Sequence, residues 1–363
     1  MERDVLIKAL KAAGHEPIQL NDTAGASVLV LPYGARVIGL FPEGKANLLW
    51  VHPSLGDPEA ATEFFRATGW RNTGGDRTWV SPERDIHLGD LQDPWNSYQV
   101  TPSIDPGHFE VFVSDDEVRL TTDGSVRHHR LEQDCAIRLE KCIRLIPNPL
   151  RYEAGAEDLL KAVWYAGFEQ RTSLTYAEKS DFRPVLSIWD AVNLPAPGNI
   201  VIPTLGAVRP KDFFEPTGVS HLRIFPCGVS FVFDGRERHK IAVRAMDLLG
   251  GRAGYFRNID ADEYTLVVRN FFVDPSAEYV DTPWADSTDR GYVLQCYNDG
   301  GVNGAYGELE YHSPAMGKGT GRTECFDRAQ LWGFQGPLKD IARIARAFLG
   351  CSVINQFFER KLS

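Results

Sequence analysis

Gly74-Gly75-Asp76-Arg77-Thr78-Trp79-Val80-Ser81-Pro82-Glu83 is the densest stretch of this 363-residue chain. Two adjacent glycines admit backbone conformations closed to other residues. Directly behind them stand Arg77, Trp79 and Glu83. A planar cation with five donors, a flat apolar face and a carboxylate are the groups that hold a polyhydroxylated ring. Far downstream lies a second dense segment, Gly307-Glu308-Leu309-Glu310-Tyr311-His312-Ser313-Pro314. On an extended strand Glu308, Glu310 and His312 share one face, because side chains alternate with a period of two. Paired carboxylates raise each other's proton affinity, which suits acid/base work.

Between and around these segments the chain reads as short strands separated by turns, with 33 Gly and 22 Pro as punctuation. Strands are expected at 27–31, 47–51, 162–168, 185–189, 228–233, 240–245, 264–273 and 291–297. Residues 109–113 and 118–122 flank Ser114-Asp115-Asp116-Glu117 as a hairpin, and His128-His129 reads as a feature of another. Along 136–146 the apolar residues Ile137, Leu139, Ile143 and Leu145 alternate and then lose phase, which a bulge or a break between strands would explain. Convincing helices are three: an N-terminal one over 2–14, one over 58–68, and one over 337–349. The last has Leu338, Ile341, Ile344, Ala345 and Phe348 on one face and Gly350 as a stop. Many strands without βαβ alternation exclude a Rossmann or TIM architecture and point to an antiparallel sandwich, either one large or two smaller.

Composition narrows the partners. The formal charge is −10, from 39 basic and 49 acidic residues, and no Lys/Arg cluster forms a nucleic-acid footprint. No run of about 18 apolar residues offers a membrane span, and acidic Glu2 and Asp4 do not suit a signal peptide. Six scattered cysteines without Cys-x-x-Cys or zinc-type spacing read as reduced thiols of a cytoplasmic protein. No cofactor is implied and no metal ligand is assigned. Asn298-Asp299 before Gly300-Gly301 reads first as a turn, with an oxygen-rich calcium site as the weaker alternative. The oligomeric state is left open.

The opening stretch resembles the Gly-Gly-x-Arg-x-Trp-x-x-Pro-Glu signature of uncharacterised bacterial families in the galactose mutarotase-like superfamily. Three more segments agree in order: Ser187-Ile188-Trp189, Tyr297-Asn298-Asp299-Gly300, and Glu308-Leu309-Glu310-Tyr311-His312-Ser313-Pro314-Ala315. The resemblance implies a mainly β fold, a large antiparallel β supersandwich with a few peripheral helices, spanning residues 1–363 as one domain. It also implies a sugar-sized cleft on one sheet and a small-molecule carbohydrate as partner.

Aldose 1-epimerases use a histidine as acid at the ring oxygen and a glutamate as base at the anomeric hydroxyl, each within hydrogen-bond reach of the sugar. By resemblance the base is Glu310, or else Glu308, and the sugar-binding arginine is Arg77, with Arg71 as alternative. Trp79 and Glu83 join Arg77 in positioning the sugar. The histidine of the family's mid-chain segment falls on Trp189 of Trp189-Asp190-Ala191-Val192-Asn193-Leu194, and an indole cannot deliver that proton. The acid is therefore unassigned, with His312, His87 and Asp190 as candidates. Two rivals stand beside an epimerase: a glycoside-cleaving enzyme with two carboxylates, and a non-catalytic sugar-binding module.

Overall fold

The computed structural model describes residues 1–358 except 179, 302 and 303. Its frame is two antiparallel sheets packed face to face. The first has nine strands, in the order Ile18–Asn21, Ser27–Leu31, Arg36–Phe41, Asp76–Ser81, Ser187–Pro195, Tyr306–His312, Tyr292–Asp299, Arg238–Arg244 and Lys211–Asp212. The second has ten, from Leu222–Phe225 at one edge to Glu110–Val113 at the other, with Glu324–Pro337 and Trp164–Tyr176 near its middle. Val28, Val30, Val192, Leu309 and Cys296 from the first sheet meet Phe168, Phe231, Val267 and Leu331 from the second in one continuous apolar core. This is the mainly β sandwich that the strand pattern leads one to expect.

Helices cover the outer faces. Arg3–Ala12 and Pro58–Arg66 lie on the first sheet, where Leu6, Leu10, Ala61 and Phe64 pack on Leu29, Leu31 and Ile38. Leu338–Leu349 packs Ile341, Ile344 and Ala345 on Phe256, Leu266 and Phe334 of the second. A further C-terminal helix, Cys351–Phe358, was not expected, because Gly350 reads as a stop. The 109–122 hairpin is present, pairing Val113 with Val118. Residues 47–51 form no strand: they cross beneath the first sheet as a buried loop, with only Val51 bridged to Gly74.

Neither the bulge nor the strand break offered for 136–146 is present. Gln133–Leu145 is a single strand in unbroken register with both neighbours. Its inward positions are Cys135, Ile137, Leu139, Lys141 and Ile143, and Lys141 is fully buried. Ile137, Leu139, Ile143 and Leu145 are all odd-numbered and keep one phase, so the apparent slip is only Lys141 standing between them on the core side. It belongs to a polar seam between the sheets. There Arg269 pairs with Asp76, Thr78 donates to Asp190, and the Tyr311 hydroxyl lies 2.8 Å from Asp190 and 2.6 Å from Asp327. A phenol has one proton to donate, so one of these carboxyls carries its own. Burial, with Asp190 nearby, pushes Asp327 up to about 7.

The Gly-Gly pair sets where the central strand begins. Gly74 and Gly75 have φ of 87° and 80°, in the region that favours glycine. A Cβ on Gly74 would stand 2.3 Å from the Trp50 carbonyl oxygen, and one on Gly75 2.4 Å from that of Val37. The close approach is therefore by neighbouring backbone, not by a ligand. Gly75 N–H donates to Trp50 O, and Gly75 O accepts from Asn193 N–H, each at 2.8 Å.

Gly74→Ala and Gly75→Ala are each expected to destabilise the fold by on the order of 1–3 kcal/mol from backbone strain alone, with the steric clash added. Urea midpoints at constant slope measure this. Gly206→Ala, where an added Cβ meets nothing within 4 Å, should stay within about 0.5 kcal/mol of the parent.

Candidate functional site

Strand parity builds the site. On Asp76–Ser81 the odd positions Arg77 and Trp79 turn outward, away from the second sheet. On Ser187–Pro195 Trp189 and Asn193 do so, and on Tyr306–His312 Glu308 and Glu310. Register aligns them: Trp79 opposes Trp189, while Arg77 and Glu310 both oppose Ala191. The Ala191 methyl leaves room between them, and Arg77 leans across it.

Arg77 makes a bidentate pair with Glu308, Nη1 to Oε1 at 2.6 Å and Nη2 to Oε2 at 3.0 Å. Asn193 donates a further bond to Glu308 Oε1 at 2.7 Å. The guanidinium also stacks over Trp79, 4.0 Å from the ring centroid. Burial disfavours the Arg77 charge, but Glu308 outweighs it and holds the group above its ordinary value. Trp79 is fixed in turn, since its indole N–H donates to Asp105 at 2.9 Å.

The next strands add a lysine. Lys240, on Arg238–Arg244, reaches Glu310 Oε2 at 3.1 Å and Glu83 Oε2 at 3.3 Å. The Trp189 indole donates to Glu310 Oε2 at 2.8 Å. Both oxygens of Glu83 accept further bonds, from Tyr98 O–H on Oε1 at 2.9 Å and Trp284 N–H on Oε2 at 3.0 Å. Burial pushes the Glu83 carboxyl up, but Lys240, Trp284 and Tyr98 overcome this and leave it below its ordinary value.

Glu310 differs from the other two. It is 1% exposed, and its Oε1 has no hydrogen-bond partner. Burial raises its pKa to about 7, against the opposing pull of Lys240 and with Glu308 and Glu83 adding to the rise.

These groups floor a cleft of ≈ 190 Å³. Loop aromatics wall it: Trp70, Trp95, Tyr98, Phe214 and Trp284, joined by Tyr297 and Tyr306 from the strands. Trp95, Phe214 and Trp284 form a contiguous cluster with centroids 4.7–5.0 Å apart. Arg238 lies at the rim, 4.0 Å over the Trp95 ring. The volume is small beside the ~300–1,000 Å³ of pockets for drug-sized ligands, so it matches a single ring.

Of the residues singled out from sequence, Arg77, Trp79, Glu83, Trp189, Glu308 and Glu310 meet in this cleft. Four others stand elsewhere. Asp190 has the opposite parity to Trp189 and points into the seam between the sheets. Arg71 is exposed beside Phe64, in a separate depression with His52 and Asn72. His87 is buried behind Trp79, its two ring nitrogens 2.9 and 3.0 Å from the carbonyls of Gln99 and Val80. His312 shares the face of Glu310 as expected, but its ring stacks behind Trp189 and contacts Ser81 Oγ at 3.1 Å. Burial, then Lys240, holds His312 well below its ordinary value, in the neutral form. Among the described residues no histidine lines the cleft.

Sequence reasoning missed Lys240, Arg238, Trp95, Trp284 and Phe214. Lys240 sits in a strand that was foreseen, and its inward-facing neighbours Ile241 and Val243 carried the signal for its outward parity. The loop aromatics left none. Asn298 is occupied structurally, its side chain bonding Gly235 N, Asp234 and Glu237 O.

The chain belongs to the Family of unknown function (DUF6786), matched over residues 6–357. No curated protein matches it. Among solved structures it is similar to a galactose mutarotase-like protein from Lactobacillus casei ATCC 334, at 10% identity, over 88% of this chain and 99% of that one, with TM-score 0.44. It is likewise similar to a homologue of aldose epimerase from C. elegans, at 10% identity, 89% and 99% coverage and TM-score 0.43. A third is galactose 1-epimerase from Lactobacillus acidophilus NCFM, at 13% identity, 88% and 94% coverage and TM-score 0.43. No helix among the described residues is long and apolar enough to cross a membrane.

Two outcomes follow from the buried charges. Arg77→Met alone strands Glu308 at 6% side-chain exposure, and should cost about 3–5 kcal/mol of stability. Adding Glu308→Gln should recover most of that loss in denaturant titrations. Glu310, raised from an ordinary 4.5 to about 7 by folding, binds its proton more tightly in the native state. Stability should therefore fall as pH rises from about 4.5 through about 7, and Glu310→Gln should remove that part of the slope.

Proposed function

We propose that the protein binds a monosaccharide-sized carbohydrate in this cleft and catalyses an epimerase-like isomerisation at its anomeric carbon. Glu310 is the group that moves the proton. The observation that carries this reading is the unpartnered Oε1 of Glu310, buried at the cleft floor where both oxygens of Glu83 and both of Glu308 already accept hydrogen bonds. A carboxyl that titrates near 7 takes and returns a proton at neutral pH with little driving-force penalty.

In this reading Glu310 accepts the proton of the anomeric hydroxyl, the bond from the anomeric carbon to the ring oxygen breaks, and the ring oxygen takes up a proton from water, to which Glu310 returns its own. Rotation and reclosure invert the centre. Lys240, 3.1 Å from the other Glu310 oxygen, supplies a fixed cation beside the developing oxyanion. Trp79, Trp189 and the loop aromatics offer flat faces to the sugar's C–H surfaces. Two-carboxylate glycoside cleavage is the weaker reading, because every oxygen of Glu83 and Glu308 is already engaged by a donor, and a second acid or nucleophile would have to give up such a bond. The five described free cysteines support a reducing, cytoplasmic setting.

The test is proton NMR of freshly dissolved single anomers across a panel of aldoses. The protein should speed interconversion of at least one of them above buffer. Glu310→Gln should lower that rate by about 10²–10⁴-fold, while thermal-shift binding of the same sugar is kept. Binding without acceleration would reduce the protein to a sugar-binding module. Neither binding nor acceleration across the panel would sink the proposal.

A further inference from the structure

We infer that the protein carries a divalent transition-metal site, formed by His221, Glu237 and His239 at the edge where the two sheets meet. The ligand atoms of these three lie within 4.8 Å of one another. His239 Nε2 is 3.1 Å, and His221 Nδ1 3.9 Å, from Glu237 Oε2. Tetrahedral ligands at zinc bond lengths lie about 3.4 Å apart; the His239–Glu237 edge is slightly short, the His221–Glu237 edge slightly long, and the His221–His239 edge lies within 4.8 Å, so closing the set takes a shift of the two rings as well as of the exposed Glu237 arm.

The surroundings are those of a metal-bound imidazole. Asp234 Oδ2 accepts from His221 Nε2 at 2.9 Å, which fixes the tautomer and leaves the Nδ1 lone pair facing Glu237. A carboxylate behind a ligating histidine is the usual orienting partner. Asp234 is itself held, its Oδ1 accepting from Asn298 at 2.7 Å and from Arg236 N–H at 2.9 Å. Ser220 Oγ lies 3.0 Å from His221 Nδ1, and its hydroxyl is the donor a metal would displace. Both rings are at least nine-tenths buried; His239 turns Nε2 to Glu237 and, unlike His221, has no orienting partner on its other ring nitrogen.

Two imidazoles and one carboxylate select zinc or a neighbouring borderline ion over calcium or magnesium, which prefer all-oxygen shells. Three protein ligands leave a fourth position for water. His221 immediately precedes Leu222–Phe225, an edge strand of the ten-stranded sheet. His239 lies on Arg238–Arg244, one strand in from the edge of the nine-stranded sheet. The ion would therefore tie the two sheets together. It would also pin the strand whose flanking residues, Arg238 and Lys240, line the cleft.

The test uses the full chain, stripped with chelator and titrated with Zn²⁺ alone against a competing indicator. One equivalent per chain with micromolar or tighter affinity is expected, together with a rise in Tm that calcium and magnesium do not produce. His239→Gln should weaken binding at least tenfold, and Asp234→Asn about 10–100-fold through His221. Glu237→Gln provides a second variant on an exposed side chain, should a histidine variant fail to fold, and should also weaken binding at least tenfold. No Zn²⁺ uptake below millimolar would overturn the inference. So would uptake unchanged in Glu237→Gln.

Discussion

A charge imbalance in an aromatic-walled cleft governs this molecule's site. At the cleft floor Arg77 and Lys240 pair with three buried carboxylates, Glu83, Glu308 and Glu310, while Arg238 stands at the rim. Arg77 commits both terminal nitrogens to Glu308, and Lys240 is shared between the other two. Glu83 collects further donors from Tyr98 and Trp284, so it keeps its charge. Glu310 receives Lys240 and Trp189 on one oxygen only, and its proton affinity rises toward neutrality. A buried carboxylate short of donors must either take up a proton or find a ligand's. That shortage is the chemical resource of the cleft.

The rest of the architecture serves to hold these charges out of water. Central strands place them on one face, and loops bring Trp70, Trp95, Phe214 and Trp284 over them. The opposite face of the same strands carries its own buried charges, Asp76, Arg269, Lys141 and Asp190. The seam lies inside the sandwich, shut off from ligand, and the cleft opens to it. Successive residues of one strand thus belong to two separate electrostatic systems: Trp189 orients Glu310, while Asp190 meets Thr78 and Tyr311.

How much could be read beforehand follows from the range of each interaction. Period-two alternation placed Glu308, Glu310 and His312 on one face, and all three do lie there. It did not show that Trp189 would stand between His312 and the cleft, because stacking order depends on the neighbouring strand's side chains. Reading Asp190 into the site followed a segment likeness and ignored parity, which alone would have turned it inward. The apparent phase slip at 141 was a buried lysine. Local pattern counts a charged residue as outward, and only the nearby carboxylates of Asp76 and Asp190, brought from distant strands, offset part of the burial that lowers the Lys141 pKa.

The sequence alone determined the strand-rich architecture, the amphipathic terminal helices and the outward row of Arg77, Trp79, Glu308 and Glu310, since each rests on short-range periodicity or on the steric freedom of Gly74 and Gly75. Tertiary structure decided which carboxylate is left with a free oxygen. It decided too that the partner of Glu310 is Lys240 and not a histidine, and that aromatics from four separate loops close the cleft. Those are outcomes of register and loop return across more than two hundred residues, where many pairings are compatible with the same local pattern and packing selects one.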